Sequence, residues 1–248
     1  MSDTAILIGV GLLSGAINAL AGGGSLISFP VLIGLGVPPL TANVTNAVAH
    51  LPGYTSIAYG YRRHLEGQAP RVRALALPGA LGAAAGVTLL TVGGEGTFES
   101  VVPFLVLISC ALLATGPLLR ARLETRRTDA HQLSLPLVAA VAGGCLYAAY
   151  FGAAAGVMML AILGLGISDT LQRLNGLNRA LILLANAAAL PFFLLLSPID
   201  WAACAALAPA TLIGGAIGAK YASRLDDRVL RAAVVTLGVC VATWLLVR

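Results

Sequence analysis

Apolar residues form long runs along the chain, divided by short clusters of charged residues, glycines and prolines. The runs do not alternate polar with apolar residues, and most exceed the roughly ten residues that a membrane β-strand needs. The pattern therefore predicts helices. Ten runs can be marked off, at 4–21, 24–37, 40–61, 74–92, 98–119, 134–151, 153–167, 171–197, 201–219 and 229–247.

Composition indicates the solvent of these helices. Of the 248 residues, 58% are hydrophobic and only 10% are charged, whereas about a quarter of a soluble domain is charged. Only lipid makes such a surface stable, and in lipid a helix satisfies its own backbone groups. We therefore predict an all-α polytopic membrane protein. Because Met1-Ser2-Asp3 lacks the basic region of a cleaved signal peptide, the first run is expected to remain in the protein.

The second run of each half is short and follows a glycine-rich break. These breaks are Gly22-Gly23-Gly24 and the segment from Gly152 to Gly156. A helix over 25–36 would reach about 18 Å, against a hydrocarbon core of about 30 Å. The segments are therefore either half-helices that turn back or short tilted spans. Paired interruptions of this kind are the sequence indication of a transporter's binding site.

The two halves of the chain are related in sequence, which predicts a repeat. Gly22 and Leu35-Gly36-Val37 match Gly152 and Leu165-Gly166-Ile167, Asn43-Val-Thr-Asn46 matches Asn175-Gly-Leu-Asn178, and Gly82-xxx-Gly86 matches Gly214-xxx-Gly218. We divide the chain into a first membrane repeat (1–119), a basic linker (120–133) and a second membrane repeat (134–248).

Charged loops predict the orientation of these repeats. The segments 62–73, 120–127 and 220–231 hold twelve of the fifteen Lys and Arg residues, while 93–99 and 197–200 carry acids and no base. Cytoplasmic loops carry the excess of basic residues. Because the sign of the charge reverses between matching loops, we predict inverted repeats, with the basic loops in the cytoplasm and both termini outside.

Asparagines recur on one face of the third run in each half. One helix face of the third run carries Asn43, Asn46, His50 and Tyr54, and the matching run carries Asn175, Asn178 and Asn186. Polar groups at membrane depth usually face a bundle interior or a water-filled cavity. The two stripes are therefore expected to face each other and line a site; the alternative is that they only join helices by hydrogen bonds.

Arg179 carries the positive charge that lies deepest in a predicted helix. It is either a fixed charge for an anionic ligand or a structural cation paired with a carbonyl group or with Asp169. The glycine breaks also favour an anion, because helix N-termini expose N–H groups and glycine permits close approach. Ser25 would add a hydroxyl donor. For His50, a coupling proton and a simple hydrogen bond both remain possible.

Other classes of function lack their motifs. The chain contains no HExxH, GxSxG or GxxxxGK[ST] sequence, and its four cysteines are scattered singly. We therefore expect no enzyme activity, no metal and no cofactor. The basic residues lie in short loops without interleaved aromatic residues, so nucleic acid is not an expected partner. The GxxxG faces allow packing within one chain or in an oligomer.

Several motifs together resemble the TauE/SafE sulfite exporter family. They are Gly15-Ala-Ile-Asn-Ala-Leu-Ala-Gly-Gly-Gly24, Phe29-Pro30-Val-Leu, Leu35-Gly36-Val37-Pro38 and Ala42-Asn43-Val-Thr45-Asn46, with a degenerate second copy that begins at Gly143. The resemblance implies a bacterial inner-membrane permease for small anions such as sulfite or organosulfonates. A carrier of another small anion, an anion channel, and a scaffold or enzyme are the alternatives. The predicted substrate-binding residues are Gly22, Gly23, Gly24, Ser25, Asn43, Asn46, His50, Gly152, Asn175, Asn178 and Arg179.

Overall fold

A computed structural model of the chain describes residues 3–20, 22–125, 133–221 and 227–247. These residues form helices and connecting turns, without strands in the described ranges. The helices are α1 (Asp3–Leu20), α2 (Ser25–Gly34), α3 (Pro39–Gly60), the 3-10 turn η1 (Arg62–Leu65), α4 (Ala69–Thr125), α5 (Leu135–Tyr150), α6 (Ala155–Gly166), α7 (Leu171–Leu196), α8 (Trp201–Tyr221) and α9 (Asp227–Val247).

Helix α4 contains two of the predicted segments. It is interrupted at Gly94, whose φ of 68° and ψ of −178° are not helical, so the helix has one arm over 69–93 and another over 95–125. The break predicted over 93–99 is therefore present but shorter than expected: it is confined to a single glycine, which can adopt a positive φ without a Cβ clash. The predicted basic linker begins inside α4, and its residues 126–132, like residues 222–226, lie outside the described ranges.

The helices have the length and composition of a polytopic membrane protein. In the described residues, four helical stretches are long and apolar enough to cross a bilayer: Asp3–Leu20, Ala69–Leu119, Leu171–Leu196 and Trp201–Tyr221. Shorter apolar helices include α2, α5 and α6. The predicted all-α membrane class is therefore confirmed.

Glycine faces join the first helix of each half to the fourth segment of the other. A Cβ on Gly214 or Gly218 of α8 would collide with the backbone of Leu12 or Ala16 in α1. Gly82 and Gly86 of α4 meet Ala142 and Leu146 of α5 in the same manner. The predicted GxxxG faces thus bring helix backbones together. In both pairs the residue numbers rise together, so the paired helices are parallel.

The third helices of the two halves run in opposite directions. The Thr45 hydroxyl near the start of α3 accepts a hydrogen bond from Asp200 N, just beyond the end of α7. At the other end of α3, the ring of Tyr61 lies 5.7 Å from the guanidinium carbon of Arg179, near the start of α7. Matching helices are therefore antiparallel, as the inverted arrangement predicts.

The chain returns across the bundle between α1 and α3. Helix α3 is parallel to α8, because Ala49 contacts Thr211 and Gly60 contacts Ala219. Since α1 is also parallel to α8, the segment 22–38 must run back to the end of the bundle where α1 begins. The ten residues of α2 supply only about 15 Å of this path. This geometry supports the short-span interpretation of the second run.

Candidate functional site

The two glycine breaks meet between the halves of the molecule. Gly22 and Gly152 have φ values of 75° and 77°, which glycine adopts without strain. A Cβ built on Gly22 would lie 3.4 Å from the Cα of Gly156, so the first break lies directly against the start of α6. The backbones of both halves are therefore in contact at this point.

A small enclosed cavity lies at this contact. Its volume of about 10 Å³ is room for about one water molecule. Three amide or hydroxyl side chains and one guanidinium contribute polar groups. The residues that line it are Asn18, Gly22, Tyr54, Gly152, Ala155, Gly156, Arg179, Ile182 and Asn186.

Arg179 supplies the positive charge at the cavity. It is 8% exposed and extends from α7 to the last turn of α1. There Nη1 donates to the Asn18 carbonyl oxygen at 3.0 Å and Nη2 donates to that of Ala19 at 3.1 Å. The last carbonyls of a helix attract cations, because they carry the negative end of the helix dipole. Of the two structural partners predicted for Arg179, the structure therefore contains the carbonyls.

Asp169 has other partners, in the turn between α6 and α7. Its carboxylate pairs with Arg71 and, at 2.9 Å, with Arg173. Partial burial raises the pKa of Asp169, but the hydrogen bonds from Arg71, the Thr170 N–H and Arg173 outweigh it, so the net pKa is lowered. The cluster remains ionised at neutral pH, and its contribution to stability is lost only as the pH falls through that lowered pKa.

Asn18 connects three parts of the site. Its main-chain carbonyl binds Arg179, and its side-chain Oδ1 accepts the Gly24 N–H at 2.9 Å. Its Nδ2 is buried and has no hydrogen-bond partner among the described residues. Tyr54 and Ser25 interact with each other, and Tyr54 also approaches Asn18. The break, the cation and this amide thus form one connected unit.

The asparagines and the histidine of the first stripe do not line the cavity. Asn43 Nδ2 donates to the Tyr150 carbonyl oxygen at 2.9 Å, at the end of α5. Asn46 Oδ1 accepts from the Ser28 hydroxyl at 2.6 Å. The Nδ1 of His50 lies 2.9 Å from the carbonyl oxygen of Asn46. Asn43 and Asn46 thus join α3 to neighbouring helices, which is the alternative interpretation of the stripe, while the hydrogen bond of His50 stays within α3.

The second stripe is divided between two roles. Asn175 is partly exposed and donates to the Leu171 carbonyl of its own helix. Asn178 donates to the Gly156 carbonyl at 2.8 Å, and its buried Oδ1 has no partner in the described residues. Asn178 is therefore adjacent to the cavity and Asn175 is not, so the structure brings together only part of the two stripes at this point.

The other predicted residues of the first break pack against neighbouring helices. A Cβ on Gly23 would lie 2.9 Å from a methyl carbon of Leu113, and one on Gly24 would overlap the Ser14 carbonyl oxygen. Ser25 is buried beside Tyr54. Of the predicted residues, Gly22, Gly152 and Arg179 line the cavity itself.

Six of the nine residues that line the cavity are not among the predicted substrate-binding residues. Tyr54 and Asn186 occupy matching positions in the two repeats, on the faces that carry the asparagine stripes. This match in the sequence could have identified both as lining residues. Asn18 has no matching asparagine, because Ala148 stands at its position in the second half. The lining residues absent from the prediction are Asn18, Tyr54, Ala155, Gly156, Ile182 and Asn186.

An all-helical bundle with a buried cation between two antiparallel halves defines a polytopic membrane protein of the transporter class. A model of the family "Sulfite exporter TauE/SafE" matches residues 7–245, nearly the whole chain. The chain belongs to this family, and the predicted resemblance is confirmed. Membership also makes the protein a membrane transporter and not an enzyme.

Curated relatives of this chain are also named as membrane transporters. A "Probable membrane transporter protein" of Sinorhizobium is 24% identical over 98% of this chain and 92% of its own. One from Haemophilus influenzae is 27% identical over 94% and 90%, and one from Escherichia coli is 27% identical over 89% and 79%. These names specify transport and no substrate.

Proposed function

We propose that this protein is a permease that moves small sulfur-containing anions, such as sulfite or organosulfonates, across the bacterial inner membrane. The observation that carries the proposal is the buried guanidinium of Arg179, held against a cavity where Gly22 and Gly156 let two backbones meet. The family description names sulfite export, which supports this class of anion.

Arg179 is suited to an oxyanion because its planar fork of N–H groups matches the oxygens of such ions. Its acceptors include the neutral carbonyls of Asn18 and Ala19, which an anion can replace with a charge-assisted hydrogen bond. The cavity beside Gly22 and Gly152 has room for about one water molecule, so the anion binds when the two halves move apart and widen it. Asn178 contributes from the rim, while Asn43, Asn46, His50, Asn175, Gly23, Gly24 and Ser25 support the elements around the site.

We further propose that transport occurs by alternating access between the two repeats, 1–119 and 134–248, joined by the linker 120–133. On one side, Asp169 ties the turn between α6 and α7 to Arg71 of α4. The matching turn of the first half, at 35–38, borders a cleft of about 500 Å³ that also contains Glu99 and Leu245. This asymmetry, an ion pair at one end and a cleft at the other, supports a carrier in one of its two states.

The orientation in the membrane follows from charge. The basic turns near Arg62 and Lys220 are placed in the cytoplasm, and the Gly94 turn and both termini outside. The Asp169 cluster then closes the cytoplasmic face, and the cleft opens to the outside. An anion channel is the competing function, but the small enclosed cavity favours a carrier over a continuous pore.

The test is anion uptake by proteoliposomes that contain the purified protein. Wild type is expected to take up radiolabelled sulfite, with unlabelled sulfonates as competitors and sulfate and carboxylates as comparisons. Arg179→Ala should abolish uptake and Arg179→Lys should retain part of it, because a charge remains without the fork. The matched control is Arg63→Ala, which removes an exposed positive charge. Full uptake by Arg179→Ala would exclude this site, and flux far above carrier rates without counterflow would indicate a channel.

A further inference from the structure

Asn18 has an arrangement that the packing of α1 alone does not explain. The residue is 3% exposed and lines the cavity. Its Oδ1 accepts the Gly24 N–H, and this fixes the orientation of the amide, because only the oxygen can accept from an N–H group. The Nδ2 is therefore turned away from the Gly24 N–H; the Tyr54 side chain approaches it, but no described residue accepts from it with full hydrogen-bond geometry.

A buried donor without a partner is costly and is rare in folded proteins. Such a group at the wall of a cavity indicates a ligand or a water molecule that accepts the bond. The nearest fixed charge is positive, since the Asn18 carbonyl holds Arg179 Nη1 at 3.0 Å. The acceptor that suits both groups is an anion's oxygen.

We propose that Asn18 is a substrate-binding residue whose Nδ2 donates to an oxygen of the transported anion while Arg179 holds its charge. The inference rests on the proposed function and names a neutral donor for the same site. Asn18 also links the anion to the structure around it: its Oδ1 anchors the start of α2, and its carbonyl releases Arg179 as the anion binds. An oxyanion with at least two free oxygens therefore suits the pair, one oxygen for each donor.

The matching positions of the two repeats support the assignment of Asn18 as a donor to the anion. The position that matches Asn18 is Ala148, and the one that matches Arg179 is Ala47. Neither residue has a polar side chain, so neither donor has a counterpart in the other repeat, whereas Gly22 and Gly152, and Tyr54 and Asn186, line the cavity as matching pairs. The anion is accordingly expected to bind once, on the side of the cavity formed by α1 and α7.

The experiment measures sulfite affinity by calorimetry on the purified full-length protein, with melting temperature as the control for folding. Asn18→Leu keeps the approximate size and removes the donor. A lost hydrogen bond to a charged group predicts a dissociation constant roughly tenfold to a hundredfold higher. Ser28→Ala is the matched control, because it removes the bond to Asn46 and loosens α2 without touching the Asn18 amide. Its affinity should stay near that of wild type.

Equal losses in Asn18→Leu and Ser28→Ala would mean that Asn18 only anchors α2, and would overturn the inference. If Asn18→Leu does not fold, Asn18→Asp decides, since it keeps an acceptor for the Gly24 N–H and replaces the donor with a carboxylate. It should lose sulfite binding, and wild-type affinity would exclude the donor role. Failure of wild type itself to bind or transport any tested anion would instead overturn the proposed function.

Discussion

The two glycine breaks begin with the same backbone conformation but differ in the residues that follow. Each begins with a glycine at a φ near 75°. In the first break Gly23 and Gly24 then press against neighbouring helices, and Asn18 holds the Gly24 N–H. In the second break alanines follow, and Ala154 itself takes a left-handed φ of 56°.

The second break is stabilised by hydrogen bonds from hydroxyl groups of helices α4 and α5, and not by close packing of its own small residues. The carbonyl oxygen of Ala153 accepts hydrogen bonds from the hydroxyls of Tyr147, at 2.8 Å, and Ser109, at 3.1 Å. The comparison teaches that the repeat preserves the path of the backbone at Gly22 and Gly152. The remaining glycines of the first break serve packing, and the chemistry, Asn18 and Arg179, belongs to single positions without a polar counterpart.

Gly24→Ala should have the largest effect on this comparison. The new Cβ would overlap the Ser14 carbonyl oxygen, a backbone atom that cannot move away freely. Overpacking of this kind costs at least about 1–3 kcal/mol. A titration with denaturing detergent measures the loss of unfolding free energy. Gly143→Ala, where nothing lies within 4 Å, is the control and should be neutral or slightly stabilising; equal stability of both variants would refute the packing role of Gly24.

Gly152→Ala and Gly22→Ala should separate strain from close contact. Both residues have a positive φ, so an alanine at either position costs about 1–2 kcal/mol. At Gly152 the added Cβ also lies 2.8 Å from the Ala148 carbonyl oxygen, whereas at Gly22 its nearest neighbour is at 3.4 Å. Gly152→Ala is therefore expected to melt at the lower temperature. The reverse order would show that the two breaks do not share a backbone path.

Ala154→Gly should have the smallest effect and the opposite sign. Glycine relieves the left-handed strain of about 1 kcal/mol, although the greater freedom of the unfolded chain offsets part of the gain. We expect stability to be unchanged or raised by less than about 1 kcal/mol. Ala161→Gly, inside α6, should instead lower it by about 0.5–1 kcal/mol. A loss of stability in both variants would contradict the strain at Ala154.

The helices were predictable because each depends on a local apolar pattern, and the GxxxG faces because they require only spacing. A break within 93–99 was predictable from its acids and glycines, but its restriction to Gly94 was not, since the residues on both sides keep helical backbone angles. The partners of Asn43 and Asn178 were also beyond prediction, because the acceptors, Tyr150 and Gly156, come from distant segments. Asn18 stood in a recognised motif, yet only the fold places its amide beside Arg179.

The most direct test of the central claim is a structure of the transporter with bound selenite, a sulfite analogue whose selenium scatters anomalously. The anomalous peak is predicted in the widened cavity between Gly22 and Gly156, with its oxygens within hydrogen-bond distance of Arg179 and of Asn18 Nδ2. A peak confined to the outer cleft beside Glu99, with Arg179 still bound to the carbonyls of Asn18 and Ala19, would contradict the account.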